Sequence, residues 1–248
     1  MRAVFPTMGT VASIDLPDHS TGHPVVQRIR DLFDDAEQRF SLYRSDSELS
    51  RVAAGEIGLP DASDELRAAY AAAMDWHLRT AGAFTPNRPD GVIDLNGVVK
   101  ALCIASAGRV LQEHGIENWS VNVGGDIASA GRSGTGAWTA GIIDPNDRTA
   151  LLATLSLDAG RSAIATSGSA ERGDHIWLLD RVTEAELIQV TVVAADILEA
   201  DVLATAIIAG GRETLDFATD RWAIDVLAVT RDGALLATPG LRAPASAA

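Results

Sequence analysis

The segment Ile188-Gln189-Val190-Thr191-Val192-Val193-Ala194, followed shortly by Ala200-Asp201-Val202-Leu203-Ala204-Thr205, decides how this chain is read. The first segment is rich in β-branched residues, which fit a pleated, packed surface, and predicts a strand. The second predicts a helix that stops at Gly210-Gly211. Working backwards, strands are expected at Trp119–Val123, Trp138–Ile143, Leu151–Leu157 and Ser162–Thr166. Working forwards, a hairpin closes the chain, with Ala223–Thr230, a turn through Asp232-Gly233, then Ala234–Thr238. The first half is mostly helical. Residues 8–16 predict one strand, and Pro24 then opens a helix whose apolar stripe is Val25, Ile29, Leu32, Phe33, Ala36 and Phe40. A second helix is expected from about Asp64 to Ala81, capped by Ser63 and stopped by Gly82. A third covers residues 97–114 and ends before Gly115. Helices first and a run of strands second predict an α+β fold rather than a doubly wound sheet. One compact domain is expected over residues 1–240, with the Pro/Ala-rich tail 241–248 frayed.

Composition narrows the function. The 248 residues are 47% hydrophobic, enough to build a full core. Lys and Arg number 20 against 34 Asp and Glu, a formal net charge of −14. Such a surface repels a polyanion, which argues against nucleic-acid binding. A small phosphate ligand stays compatible if a bound cation offsets the local field. Cys103 is the one cysteine, so no intramolecular disulfide forms, and its apolar surroundings read as a small buried hydrophobe. No long apolar segment precedes Pro6 and Asp15, and no run reaches the roughly 18 apolar residues of a spanning helix. The expected location is therefore cytoplasmic, with no membrane span and no lipobox cysteine.

Several short segments carry chemistry. On a helix, Asp201 and Thr205 stand at i and i+4 and aim two hard oxygens at one point, a pattern that suits Mg²⁺. An ordinary first helical turn explains the same pair through the helix dipole. Asp94-Leu95-Asn96-Gly97-Val98-Val99-Lys100 opens the third helix, where free N–H groups favour anions. There Asp94 or Asn96 serves equally as a cap, Gly97 leaves its carbonyl open to close approach, and Lys100 reaches a ligand or solvent. Asn122-Val123-Gly124-Gly125-Asp126 closes a strand in a tight turn or a nest of N–H groups. Thr166-Ser167-Gly168 allows close approach of a flat ligand, and His175 titrates near neutral pH. Tyr43 offers a stacking face or a packing ring. No HExxH, CxxC, P-loop or GxSxG pattern is present.

Taken in order, these segments resemble the ApbE family of FAD:protein FMN transferases. The resemblance is carried by Met8-Gly9-Thr10, by Ser41-Leu42-Tyr43-Arg44-Ser45-Asp46-Ser47-Glu48-Leu49-Ser50, and by Gly82-Ala83-Phe84 followed by Asp94 to Lys100. Asn122 to Asp126, Thr166 to Gly168 and Ala200 to Thr205 extend it towards the C-terminus. The resemblance implies a single compact fold of mixed or antiparallel sheets with packed helices. It implies an enzyme that cleaves FAD, places FMN on a threonine hydroxyl of an acceptor flavoprotein and releases AMP. By position, Met8, Tyr43, Ala83, Phe84, Asp94 and Lys100 would contact FAD, together with Thr166, Ser167, Gly168 and Ile176. The Gly97 carbonyl, Asp201, Thr205 and the Ala204 backbone would hold Mg²⁺. His175 would be the candidate base and, with Asp201, would carry the catalysis.

The chain also departs from the family pattern. Phe84-Thr85-Pro86-Asn87 stands where many members have Phe-Asp-Pro-Thr, and Ala101 follows Lys100 where glycine is usual. The stretch His175-Ile176-Trp177-Leu178-Leu179-Asp180-Arg181 lacks the family's Pro and Thr-Gly in a short loop, and the family's exported lipoprotein signal is not seen, so the chain is expected to be a shortened, cytoplasmic relative. Two other functions use the same residues: an FAD pyrophosphatase, in which water replaces the threonine, and a non-catalytic FAD-binding protein.

Overall fold

In the computed structural model, which describes residues 1–19, 23–134, 136–168 and 186–241, the strand expected over residues 8–16 is the second arm of a hairpin. Arg2–Thr7 (β1) and Thr10–Asp15 (β2) pair antiparallel around Met8 and Gly9, at φ 49° and 70°. Two consecutive positive φ angles give the tight turn whose twist matches the flanking strands. Glycine adopts that conformation freely, whereas for Met8 it is unusual.

Helix α1 (Val25–Phe40) buries the expected stripe through Val25, Ile29, Phe33 and Ala36. A short helix absent from the sequence reading, α2 (Glu48–Ala53), is capped by the Ser47 hydroxyl, which accepts the Ser50 N–H. Ser63 caps α3 (Asp64–Arg79) in the same way, accepting from Leu66 N–H. The third long helix, α4, spans Asn96–Glu113. Next come β3 (Trp119–Val123), β4 (Asp126–Ala130), β5 (Trp138–Ile143), β6 (Leu151–Leu157), β7 (Ala163–Gly168) and β8 (Leu187–Ala194). Helix α5 (Ile197–Arg221) and the strands β9 (Asp225–Thr230) and β10 (Leu235–Ala237) complete the order. Gly210-Gly211 does not end α5. Gly211 leaves helical geometry at φ 68° and ψ −153°, and the helix then resumes to Arg221.

Eight strands form one sheet in the order β1-β2-β3-β4-β7-β8-β9-β10, and β5 and β6 form a separate ribbon. Every pairing in both is antiparallel. The fold is thus α+β, with the sheet fully antiparallel rather than mixed. One face packs on the helices: Ala165, Val190, Val192, Val226 and Ala228 share a core with Ile104, Leu111, Leu203 and Ile207. The other face is covered by the ribbon, with Ile164, Val193 and Leu227 against Trp138, Ala140, Ile142 and Leu157. Burial on both faces explains why β8 is almost continuously apolar instead of alternating. At roughly 1.5–3 kcal/mol per large apolar side chain, these two layers supply most of the drive to fold.

No helix among the described residues is long and apolar enough to cross a membrane. Pro239–Leu241 is a short 3-10 turn, and the remainder of the tail expected to fray lies outside the described residues.

Candidate functional site

Helices α4 and α5 lie side by side on the sheet, and each sends a charged side chain into their seam. Lys100, one turn into α4, is 8% exposed; Asp201, on α5, is 3% exposed. The Lys100 ammonium lies 3.7 Å from Asp201 Oδ1 and pairs directly with Asp126 Oδ2. Asp126 opens β4, is 1% exposed, and takes the Thr166 N–H on its other oxygen at 3.1 Å. A buried charge is tolerated only when paired and hydrogen-bonded, and Asp126 meets both conditions.

One turn beyond Asp201, Thr205 Oγ1 lies 3.1 Å from Ser167 Oγ on β7. Side chains alternate across a strand, so Thr166 faces the other way. Its hydroxyl lies 2.9 Å from Thr191 Oγ1, on the ribbon side of the sheet. Of the small triplet Thr166-Ser167-Gly168, only the Ser167 side chain therefore reaches α5. Gly168 packs closely, since a Cβ there would stand 3.2 Å from the Ile188 carbonyl oxygen. Ala204 is fully buried.

Lys100 also lines a cavity of about 310 Å³, together with Met8, Gly9, Ala36, Glu37, Phe40, Ser41, Tyr43, Arg44, Asn96 and Val99. Glu37, on α1, accepts the Met8 N–H and so holds the β1–β2 turn against the cavity. Tyr43 is 76% exposed at the rim. This volume is at the low end for small-molecule sites.

Ala83 and Phe84 are buried and are not among the residues lining this cavity. Phe84 is fixed through its backbone: its carbonyl accepts from His77 Nδ1 at 2.8 Å and its N–H donates to Thr80 Oγ1 at 3.1 Å. Its ring lies on Gly97, where a Cβ would be 2.7 Å from Phe84 Cε2. Packing thus supplies a reason for glycine at this position that differs from access to its carbonyl. Asp94 is half-buried and accepts the Asn96 N–H at 2.9 Å, which orders the entry to α4. His175 and Ile176 lie outside the described residues.

Nearby titrations are set by burial. The Cys103 thiol is pushed up to about 12 by its apolar surroundings, so it is no nucleophile. Glu199 is raised first by burial and then by the Asp196 carboxylate, against the opposing pull of Arg79.

Among the described residues no group of three or more His, Cys, Asp or Glu surrounds a common point. A protein-only metal cage is therefore absent from that part of the chain. Asp201 and Thr205 instead present hard oxygens from one helix face, the donor chemistry suited to a cation that shares its shell with water and phosphate. The residues present fit such an ion.

The ApbE family model matches residues 8–89 and 87–228, which takes in β2, the cavity wall and both helices of the seam. The chain belongs to the ApbE family. This ApbE chain is 30% identical over 156 residues to the FAD:protein FMN transferase of Escherichia coli K12, covering 58% of the chain and 44% of that protein. It therefore spans less than half the length of that relative. The Vibrio cholerae serotype O1 FAD:protein FMN transferase is 26% identical over 270 residues, covering 84% of the chain and 80% of that protein. Among solved structures, the apo form of Pseudomonas stutzeri flavinyl transferase ApbE superposes with a TM-score of 0.77 at 18% identity, over 96% of this chain and 95% of that one. That agreement shows that the two chains share a fold over the matched span.

Two site residues escaped the sequence reading of this ApbE chain. Asp126 was visible only as the end of a glycine turn, and Glu37 only as a polar position on an amphipathic helix. Neither has a local signal, because each acquires its partner through the tertiary fold.

Proposed function

We propose that this chain is a Mg²⁺-dependent FAD:protein FMN transferase, with residues 1–240 as its single domain. The observation that carries the reading is the double position of Lys100. One ammonium borders both a ligand-sized cavity and a buried set of hard oxygens. A flavin in the cavity would bring its diphosphate to Lys100, and Asp201 and Thr205 stand beside it.

In this reading the FMN phosphorus forms a bond to the threonine oxygen of the acceptor and its bond to the bridging oxygen breaks. AMP leaves with that electron pair, and the threonine proton passes to a base. Phosphoryl transfer asks little covalent chemistry of the protein; it asks for position and for charge to meet developing charge. Lys100 supplies a fixed positive charge. Met8, Glu37 and Tyr43 shape the flavin end, while Asp94 orders the entry to α4 beside the phosphates. Ala83 and Phe84 are assigned as flavin contacts from the family pattern, and the Phe84 ring packs on Gly97 at the start of α4. Asp201, Thr205 and the Gly97 and Ala204 backbones would hold Mg²⁺, which when bound neutralises the diphosphate and polarises its oxygens. Ser167 fixes the Thr205 hydroxyl, and the Thr166 N–H and Gly168 shape the strand beneath it. His175 is assigned as the base and Ile176 as a flavin contact from the family pattern alone.

Incubation with FAD and Mg²⁺, with and without a threonine-containing acceptor peptide, tests the reading. AMP release that requires the peptide, with a flavin-bearing product, is the expected result. AMP and free FMN without peptide would instead identify an FAD pyrophosphatase. Bound but intact FAD would identify a flavin-binding protein.

A further inference from the structure

Asp126 has no role in the transfer chemistry just described, yet it is the most deeply buried carboxylate of the site, at 1% exposure. We propose that Asp126 is a positioning residue that draws the Lys100 ammonium away from Asp201 and so keeps Asp201 available to a divalent cation. The inference rests on the reading of Asp201 as a cation ligand.

The argument starts from the unequal sharing of one ammonium. Lys100 pairs directly with Asp126 Oδ2 but stands 3.7 Å from Asp201 Oδ1, beyond the range of a hydrogen bond. Both carboxylates are almost without solvent, where charges interact far more strongly than in water. An ammonium on a flexible four-carbon stem would otherwise settle on whichever carboxylate is nearest. Asp126 wins because it is held in place. Its second oxygen is anchored by the Thr166 N–H at 3.1 Å, and it opens a strand that is paired on both sides. A lysine committed to Asp201 would occupy the position a cation needs and would repel that cation as well. Committed to Asp126, it stays close enough to meet a phosphate while leaving Asp201 to the metal. The strand residue thereby sets a division of labour between two groups on neighbouring helices.

The test is Mn²⁺ binding by the full chain without FAD, followed by calorimetry and by the electron paramagnetic signal of free Mn²⁺. Asp126→Asn keeps the shape and the Thr166 contact but releases Lys100, so Mn²⁺ affinity should fall at least tenfold. Lys100→Gln removes the competing charge and should tighten Mn²⁺ binding several-fold. In the Lys100→Gln background, Asp126→Asn should cost threefold or less, because no ammonium remains to be redirected. A purely structural role for Asp126 would give the same loss in both backgrounds, and that result overturns the proposal. If Asp126→Asn does not fold, Lys100→Gln decides alone: weaker Mn²⁺ binding in that variant refutes the competition. Should the unaltered chain bind no Mn²⁺ at all, the cation reading of Asp201 falls first, and this inference falls with it.

Discussion

The ring of Phe84 lies directly on Gly97, so close that a Cβ built at residue 97 would stand 2.7 Å from Phe84 Cε2. Phe84 is 3% exposed, and its backbone is held by His77 on α3 and by Thr80 at the C-cap of that helix. It cannot step aside cheaply. Gly97→Ala should therefore overpack the site at about 1–3 kcal/mol, against a gain of up to about 1 kcal/mol from helix propensity. Urea unfolding should show a net loss of up to about 2 kcal/mol once the full helix-propensity gain is set against the overpacking. Combined with Phe84→Leu, which vacates the contact, the Gly97→Ala change should become neutral or stabilising. If Gly97→Ala alone stabilised the protein, the ring contact would not be the constraint.

Asp201 should separate chemistry from stability. Lys100 keeps its direct partner Asp126 when Asp201 is neutralised, so Asp201→Asn should unfold near the temperature of the unaltered chain. Its AMP release in the presence of FAD, Mg²⁺ and peptide should nonetheless fall at least about 100-fold, the scale of losing one well-placed electrostatic group. A rate unchanged by Asp201→Asn removes this residue from the site.

The legible parts of this molecule are those with a local physical signal. Trp119–Val123, Trp138–Ile143 and Leu151–Leu157 are strands over the expected residues, because β-branched and alternating side chains mark a pleated surface. Ser63 caps a helix as expected because capping is a local demand, but that helix ends at Arg79, and Ala81 rather than Gly82 is the first residue beyond it at positive φ, 52°. What was missed lacks such marks. The turn at Met8 uses a residue that rarely takes positive φ, so the expected strand ran through it from residue 8 and β1 was not foreseen. Gly210-Gly211 reads as a stop, but α5 continues because both of its parts have packing to gain: Ile207 and Ala218 share the same core. At the site, the Asp201–Thr205 spacing announced an oxygen pair on one helix face. That Lys100 would meet Asp201 across two helices was not readable from spacing, and the part played by Asp126 required β4 to be seen beside α4.

Cys103 should report on the fold through its acidity. Its thiol is 6% exposed and is pushed from 9.0 up to about 12 by burial, so the folded protein holds the neutral form well beyond pH 9. The unfolded chain releases that proton earlier, and stability falls as pH rises from about 9 towards 12. Labelling by a maleimide at pH 8 should accordingly be slow in the native protein and become rapid in denaturant. Fast native labelling at pH 8 would mean that the thiol is reached without global unfolding. Cys103→Ala should flatten the decline in melting temperature between pH 9 and 11.

Glu37 ties the β1–β2 turn to the cavity, and its removal should be felt at both places. The carboxylate accepts the Met8 N–H from a turn whose Met8 φ is 49°, a conformation that persists only when the surroundings hold it. A hydrogen bond to a charged acceptor contributes about 1.5–3 kcal/mol, so Glu37→Ala should destabilise the chain by about that amount. Glu37→Gln keeps an acceptor of nearly the same shape and should cost less than half as much. Met8 and Gly9 form one wall of the cavity, so loosening the turn should also weaken FAD binding, read by quenching of flavin fluorescence. The two variants discriminate between roles. If both weaken FAD equally while only Glu37→Ala loses stability, the charge of Glu37 acts on the ligand itself. If FAD affinity follows stability across the pair, Glu37 acts through the Met8 turn, as the geometry indicates.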